Sequence, residues 1–101
     1  MVKRVVWTTL AFNQKKDILH YWKIRNKSNV YCIKLDFLFK RAIQIISEYP
    51  KIGRLTDDKN LRVKIVRDYL IFYAEYDNEI VILSVWDNRQ NPDKLKRIIG
   101  G

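Results

Sequence analysis

The spacing of apolar residues changes once along this chain, and that change limits the folds open to it. Between Leu10 and Glu48, apolar side chains recur every three to four residues, as they do on one face of a helix. Between Leu61 and Trp86 they alternate with other side chains or form continuous apolar runs, as they do in strands. A helical half followed by a β half predicts an α+β domain with its helices on one face of a sheet.

The helical half has clear start and stop signals. Thr8 and Thr9 are suited to cap the first helix, and Pro50 ends the second. A polar break at 26–29 separates the two helices, which therefore form an αα-hairpin. The predicted elements of this half are a β-branched strand and two helices, namely Val2–Trp7, Leu10–Arg25 and Val30–Glu48.

The β half predicts three strands after a polar loop at 51–60, with a tight Asp77-Asn78 turn in the last hairpin. The predicted order is β-α-α-β-β-β, which gives a small, mostly antiparallel four-stranded sheet with the helix pair on one face. Arg62 and Lys64 alternate with apolar residues, so we expect them on the open face. A last helical turn is expected at 94–99. The three strands are Leu61–Val66, Tyr69–Tyr76 and Glu79–Trp86.

Length and composition indicate one domain spanning residues 1–101. No apolar run is long enough to span a membrane, and no apolar segment follows the basic N-terminus as it does in a secretion signal. Cys32 is the single cysteine and cannot form an internal disulfide. These features predict a cytoplasmic protein that does not associate with membranes.

The positive charge is concentrated at one end of the sequence. The net charge is +9, and the segment from Met1 to Arg41 contains ten basic and two acidic residues. A basic surface predicts an anionic partner, namely nucleic acid, an acidic protein or an anionic membrane. The alternative is a surface whose charge serves solubility alone.

Conventional catalytic and metal-binding patterns are absent from the sequence. His20 is the single histidine, and one cysteine with one histidine cannot supply the four ligands of a usual zinc site. A Cys32–His20 nucleophile pair is conceivable, but both residues are predicted within helices. We therefore expect no metal and no cofactor.

The remaining candidates for chemistry are basic and aromatic. Arg62, Lys64 and Arg89 are the candidate catalytic residues, because basic side chains can stabilise charge at a scissile phosphate and relay protons. The alternative is that these side chains are simply solvated. The candidate RNA-binding residues are basic side chains and two tyrosines suited to stack on bases, namely Arg67, Lys15, Lys16, Tyr69 and Tyr73.

The order of the motifs resembles the RelE/ParE toxin superfamily. A basic alternating strand (LRVKIV) precedes YLIFY, a DN turn and an apolar strand that ends near an arginine (IVILSVWDNR). The closing WDNRQNPDKL, the V-x-W-T at Val5–Thr8 and the Tyr21-Trp22 pair are similar to one subgroup of these toxins. The resemblance covers about residues 3–97 and implies a toxin of a bacterial type II toxin–antitoxin system, of the kind associated with plasmid stabilization. It also implies a cognate antitoxin partner.

The resemblance leaves the mechanism open. RelE-like toxins cut mRNA in the ribosome, and their two basic strand positions fall on Arg62 and Lys64, with Arg89 at the arginine after the last strand. Leu70 replaces an arginine of that pattern, and no Tyr or His follows Arg89. ParE-like toxins inhibit DNA gyrase without nuclease activity. A ribosome-dependent endoribonuclease, a gyrase inhibitor and a non-toxic RNA-binding module therefore all remain hypotheses.

Overall fold

The computed structural model describes residues 2–58 and 60–89, so the helical turn expected at 94–99 lies outside the described residues. The described part contains two long helices, one 3₁₀ turn and five strands. In chain order the elements are β1 (Arg4–Trp7), α1 (Thr9–Asn26), α2 (Val30–Glu48), the 3₁₀ turn Pro50–Ile52, β2 (Arg54–Leu55), β3 (Arg62–Val66), β4 (Tyr69–Glu75) and β5 (Glu79–Asp87).

The strands form one mixed sheet in the order β1-β5-β4-β3-β2. β1 pairs parallel with β5, and the other neighbours pair antiparallel. The α+β class and the helical hairpin on one face of the sheet are therefore confirmed, but the sheet has five strands rather than four. The additional strand, β2, is only two residues long and lies within the segment predicted as a loop. Two residues are too few to show an alternating pattern.

Side-chain hydrogen bonds define the start of α1. The Thr8 hydroxyl accepts a bond from Ala11 N at 3.1 Å, which caps the helix, and donates to Ile82 O at 2.9 Å, which ties that cap to β5. Lys27 ends α1 with a left-handed φ of 50°. The start of the first helix is therefore fixed beside β5, next to the edge strand β1.

A glutamine of α1 fastens the helix to an irregularity in β5. The register between β4 and β5 shifts between Phe72 and Tyr73. At this shift, Gln14 Oε1 accepts bonds from Ser84 Oγ at 3.0 Å and from Val85 N at 2.9 Å. The amide oxygen thus satisfies a strand N–H beside the irregularity and orients α1 across the sheet.

The sheet is apolar on both faces. The main core lies between the helices and the sheet and includes Leu35, Phe39 and Ile46 of α2 packed with Ile71 and Ile82. A second apolar cluster is centred on Leu61, Phe72 and Trp86, with Val63, Leu70 and Leu83 packed against it. This second cluster lies on the face opposite the helices, because its members alternate along β3 and β4 with main-core residues.

No helix in the described part of the chain has the length and apolar character needed to cross a bilayer.

Candidate functional site

The basic residues of β3 lie on the helix-covered face of the sheet, so the prediction that they lie on the open face was wrong. Arg62 pairs with Tyr73 and Lys64 pairs with Ile71, and both partners belong to the core beneath the helices. Cross-strand partners project from the same face. The open face is instead apolar. Alternation alone could not indicate which face of β3 the helices cover, and both basic side chains remain partly exposed at the margin of the helix layer.

The Arg62 guanidinium is engaged by the backbone of the preceding loop. Its Nη1 donates to Gly53 O at 2.7 Å and to Lys51 O at 3.2 Å. These bonds satisfy one carbonyl group within the 3₁₀ turn and one just after it, and they hold the loop against β3. In this arrangement Arg62 has a structural role, and one edge of its guanidinium is already occupied.

The two tyrosines predicted to stack on bases are core residues. Tyr69 is 2% exposed and Tyr73 is 0% exposed, so neither ring presents a free face to a nucleic acid base. Burial raises the pKa of both phenols, with further influences from neighbouring hydrogen bonds and charges. The base-stacking prediction was therefore wrong. An unbroken apolar strand such as β4 is buried on both faces, and that signal was available in the sequence.

Arg89 lies two residues beyond the end of β5, in a cluster with Asp87, Trp22 and Tyr69. Its side chain makes two bonds to the Asp87 carboxylate, from Nε at 2.9 Å and from Nη2 at 2.8 Å. The guanidinium carbon lies 5.7 Å from the centroid of the Trp22 ring. The hydrogen bonds that Arg89 donates to Asp87 lower the pKa of the carboxyl group and raise the pKa of the guanidinium above its usual range. Arg89 is thus charged and already paired.

The three candidate catalytic residues share a face but do not converge. Arg62 pairs with Tyr73 across β3 and β4, whereas Asp87, which binds Arg89, pairs with Tyr69. Tyr69 and Tyr73 are four residues apart in β4, which corresponds to about 13 Å along the strand. Lys64 lies between them. With Arg62 bonded to the loop and Arg89 bonded to Asp87, the three side chains do not form one phosphate site.

Lys64 instead belongs to a basic groove between α2 and β3, which we call the α2–β3 groove. Its cations are Lys64 and Arg67 of the β3 hairpin and Arg41 of α2, and the last of these was not predicted as a site residue. Arg41 follows the helical spacing of the exposed face of α2, which is the signal that could have identified it. Arg67 has a left-handed φ of 56° in the turn after β3. The apolar lining consists of Leu38, Ala42, Ile45, Ile65 and Val66.

The two lysines of α1 that were predicted to bind RNA lie near aromatic rings. Lys15 Nζ lies 4.9 Å from the Trp7 ring centroid and 5.5 Å from that of Phe12, and Lys16 Nζ lies 5.6 Å from Phe12. Cation–π contact of this kind orients the ammonium groups at the surface. Their predicted role in binding RNA remains a prediction.

The single histidine and cysteine occupy separate helices. His20 is exposed on α1, while Cys32 is partly buried in the first turn of α2 and donates from Sγ to Asn29 O at 3.3 Å. Within residues 2–58 and 60–89, no three His, Cys, Asp or Glu side chains cluster in a way that could hold a metal ion.

A sequence model of a known family matches most of the chain. The family is described as "ParE toxin of type II toxin-antitoxin system, parDE", and the match covers residues 5–92. The chain belongs to the ParE toxin family. The resemblance to the RelE/ParE superfamily that the motifs indicated is thereby confirmed, and membership implies an antitoxin partner.

A solved structure shares the fold. The chain is similar to a structure described as "Chromosomal ParDE TA system from P. aeruginosa", with a TM-score of 0.72 and 14% sequence identity over 83% of this chain and 94% of that one. No curated protein sequence matches the chain. The ParE toxin fold is therefore retained here at a low level of sequence identity.

Proposed function

We propose that this ParE-family toxin inhibits growth by binding DNA gyrase, and that it does so without cutting RNA. The observation that carries the proposal is the engagement and separation of the basic candidates. Arg62 is bonded to the carbonyls of Lys51 and Gly53 beside Tyr73, and Arg89 is paired with Asp87 beside Tyr69. Tyr69 and Tyr73 lie about 13 Å apart along β4.

Metal-free RNA cleavage needs proton-transfer and charge-stabilising groups within hydrogen-bond reach of one phosphate. The arrangement around β3 lacks such convergence, and Leu70 stands where RelE-like toxins have an arginine. A protein that acts by occupying a surface of its target needs no convergent groups. The geometry therefore supports a binding mechanism better than a catalytic one.

One observation favours the alternative, a ribosome-dependent endoribonuclease. Lys64, Arg41 and Arg67 line one groove, and none of them has an ion-pair partner among residues 2–58 and 60–89. Unpaired cations in a groove suit a polyanion such as mRNA. In this alternative Lys64 would contact the phosphate backbone.

Either target would place the protein in the cytoplasm, and a toxin with either activity would serve plasmid stabilization.

The experiment is a pair of reconstituted assays with the purified full chain. Gyrase is incubated with relaxed plasmid and ATP, and supercoiling is followed as toxin is added. Relaxation of the supercoiled form of this plasmid by a type I topoisomerase serves as the control for non-specific DNA binding. In parallel, mRNA ends are mapped in a purified translation system. Inhibition of gyrase alone, with intact mRNA, supports the proposal. Unaffected gyrase together with cuts in translated mRNA contradicts it.

A further inference from the structure

Two aromatic rings and three lysines lie together where α1 follows the edge strand β1. Trp7 is the last residue of β1, and Phe12 lies near the start of α1. Lys15 and Lys16 follow Phe12 by three and four residues, so the three side chains are neighbours on the helix surface. Lys40 of α2 lines a cavity of about 260 Å³ together with Trp7 and Lys15. We call these five residues the aromatic–lysine patch.

The positive charge of the patch is largely uncompensated. Lys15 and Lys16 form no ion pair within the part of the chain that the structure describes. The sequence contains no Asp or Glu before Asp17. Lys40 pairs with Asp36 at 3.1 Å, but the Lys40 side chain is 73% exposed, and a pair so open to solvent is weak. An anionic ligand would therefore meet three cations and one carboxylate.

The Phe12 ring is accessible at the surface. Its side chain is 45% exposed, although the ammonium groups of Lys15 and Lys16 lie 5.5 and 5.6 Å from its centroid. The lysine stems are flexible, and a phosphate binds an ammonium group more strongly than the face of an aromatic ring does. A ligand that supplies both phosphates and a flat ring would therefore engage both kinds of side chain.

We propose that the aromatic–lysine patch binds single-stranded nucleic acid, with an unpaired base stacked on Phe12 and the adjoining phosphates held by the three lysines. Aromatic side chains beside clustered cations are the means by which proteins bind single strands without reading their sequence. The cavity beside Trp7 is smaller than the roughly 300–1,000 Å³ of pockets that enclose a drug-sized ligand, which suits one flat ring. The inference rests neither on gyrase as the target nor on RNA cleavage.

The combination of rings and charges selects this ligand over others. A duplex would contact the lysines, but its bases are stacked on one another and would leave Phe12 without a partner. An acidic peptide or a free phosphate would pair with the lysines without needing an aromatic face. A second copy of this chain would bring two cationic patches together, which repels. Single-stranded DNA and RNA both supply a phosphate chain with accessible bases.

The test titrates fluorescein-labelled oligo-dT and oligo-rU of about eight nucleotides against the full chain and follows fluorescence anisotropy. We expect saturable binding. Phe12→Leu keeps an apolar side chain but removes the aromatic face, so it should weaken binding about fivefold or more, whereas Phe12→Trp should bind at least as tightly as wild type. Tyr21→Leu changes another exposed aromatic residue of α1 and should leave binding unchanged. Binding of a duplex of equal length should not respond to Phe12→Leu.

The salt dependence separates the lysines from the ring. Lys15→Gln/Lys16→Gln should reduce the slope of log affinity against log salt by about 1, because phosphate contacts are lost. Lys23→Gln/Lys27→Gln removes the same charge from the other end of α1 and should leave the slope nearly unchanged. Phe12→Leu should weaken binding without changing the slope, because it removes no phosphate contact.

Thermal unfolding establishes that each variant is folded, and Phe12→Trp tests the ring even where Phe12→Leu lowers stability. Absence of saturable binding by both strands overturns the inference. Equal affinity of wild type and Phe12→Leu overturns it in favour of lysines that attract any polyanion. Polyglutamate that binds with the same dependence on Phe12 overturns it in favour of an acidic protein. Tighter binding of oligo-dT or of oligo-rU identifies DNA or RNA as the ligand, and either result supports the inference. None of these outcomes depends on the gyrase assay.

Discussion

Tyr73 and Gly53 are joined by a buried hydrogen bond in which the glycine N–H donates to the phenol oxygen at 2.8 Å. The Tyr73 hydroxyl in turn donates to Pro50 O at 2.7 Å. Together with the bonds from Arg62 to the same loop, this pair fixes the segment between α2 and β3. Tyr73 of β4 and Arg62 of β3 both form hydrogen bonds with this loop, so the Arg62 guanidinium already has partners within the fold.

The close approach of Gly53 to Tyr73 predicts that Gly53→Ala destabilises the fold by about 2 kcal/mol. A Cβ at this position would lie 2.8 and 2.9 Å from two carbons of the Tyr73 ring, which is fully buried and cannot move aside. Urea unfolding of the purified protein measures the cost.

The control for that prediction is the same substitution in a Tyr73→Phe background. Removing the hydroxyl relieves part of the clash, so Gly53→Ala should cost less there than in the wild type, giving a non-additive cycle. Full additivity, or a cost for Gly53→Ala below that of an ordinary surface substitution, would mean that the approach is not tight.

Tyr69→Phe should lower the free energy of unfolding by about 1 kcal/mol. Trp22 Nε1 donates to the Tyr69 hydroxyl at 2.6 Å, and without that acceptor the partly buried indole N–H loses its partner. This bond joins α1 to β4, so its loss loosens the helix on the sheet. Urea or thermal unfolding measures the change. The matched control is Tyr31→Phe, which keeps the ring contact with Trp22 at 4.9 Å between centroids and should be nearly neutral.

The Lys3–Glu75 ion pair predicts a stability that falls in acid. Lys3 Nζ lies 2.9 Å from Glu75 Oε2, and its hydrogen bond is the main cause that lowers the pKa of Glu75 below the ordinary 4.5. A lowered folded-state pKa contributes stability above the unfolded-state pKa, and this contribution is lost as pH falls through the folded-state pKa. Glu75→Gln should therefore be destabilising near neutral pH, by less than about 1 kcal/mol because the pair is partly solvated, and nearly neutral in strong acid.

Urea unfolding at several pH values compares Glu75→Gln with wild type. Asp77→Asn removes an exposed carboxylate that has no ion pair among residues 2–58 and 60–89, and its effect should not vary with pH in the same way. A Glu75→Gln cost that is constant from neutral to acid pH would contradict the role assigned to the pair.

The fold was predictable from sequence where the pattern was long and regular. Thr8 caps the first helix as expected, and α2 begins at Val30 and ends at Glu48, as predicted. β2 was missed because two residues in a polar loop give no period. The prediction of the face on which Arg62 and Lys64 lie was wrong, because β4 and β5 are apolar on both faces. Alternation then shows which residues share a face but not which face the helices cover.

The site was less predictable than the fold, because contacts between distant segments determine it. Nothing local shows that Arg62 donates to Gly53 O, or that Tyr69 is closed off by Trp22 of α1. The helical spacing of Arg41 places it on the exposed face of α2 but does not show that it meets Lys64 and Arg67 in a groove, because those residues come from β3 and the following turn. The family itself was recognisable, because the order of the strand motifs follows from topology and does not require knowledge of such contacts.

The most direct test of the account is to express the toxin from a tight promoter beside Arg62→Ala/Lys64→Ala and to map mRNA ends and plasmid supercoiling in the same cultures. The amount of folded protein is matched, because Arg62→Ala removes two loop hydrogen bonds. The account predicts intact mRNA together with lost supercoiling and a DNA damage response in both cultures. Cuts within translated reading frames that disappear in the double variant, with normal supercoiling, would contradict it.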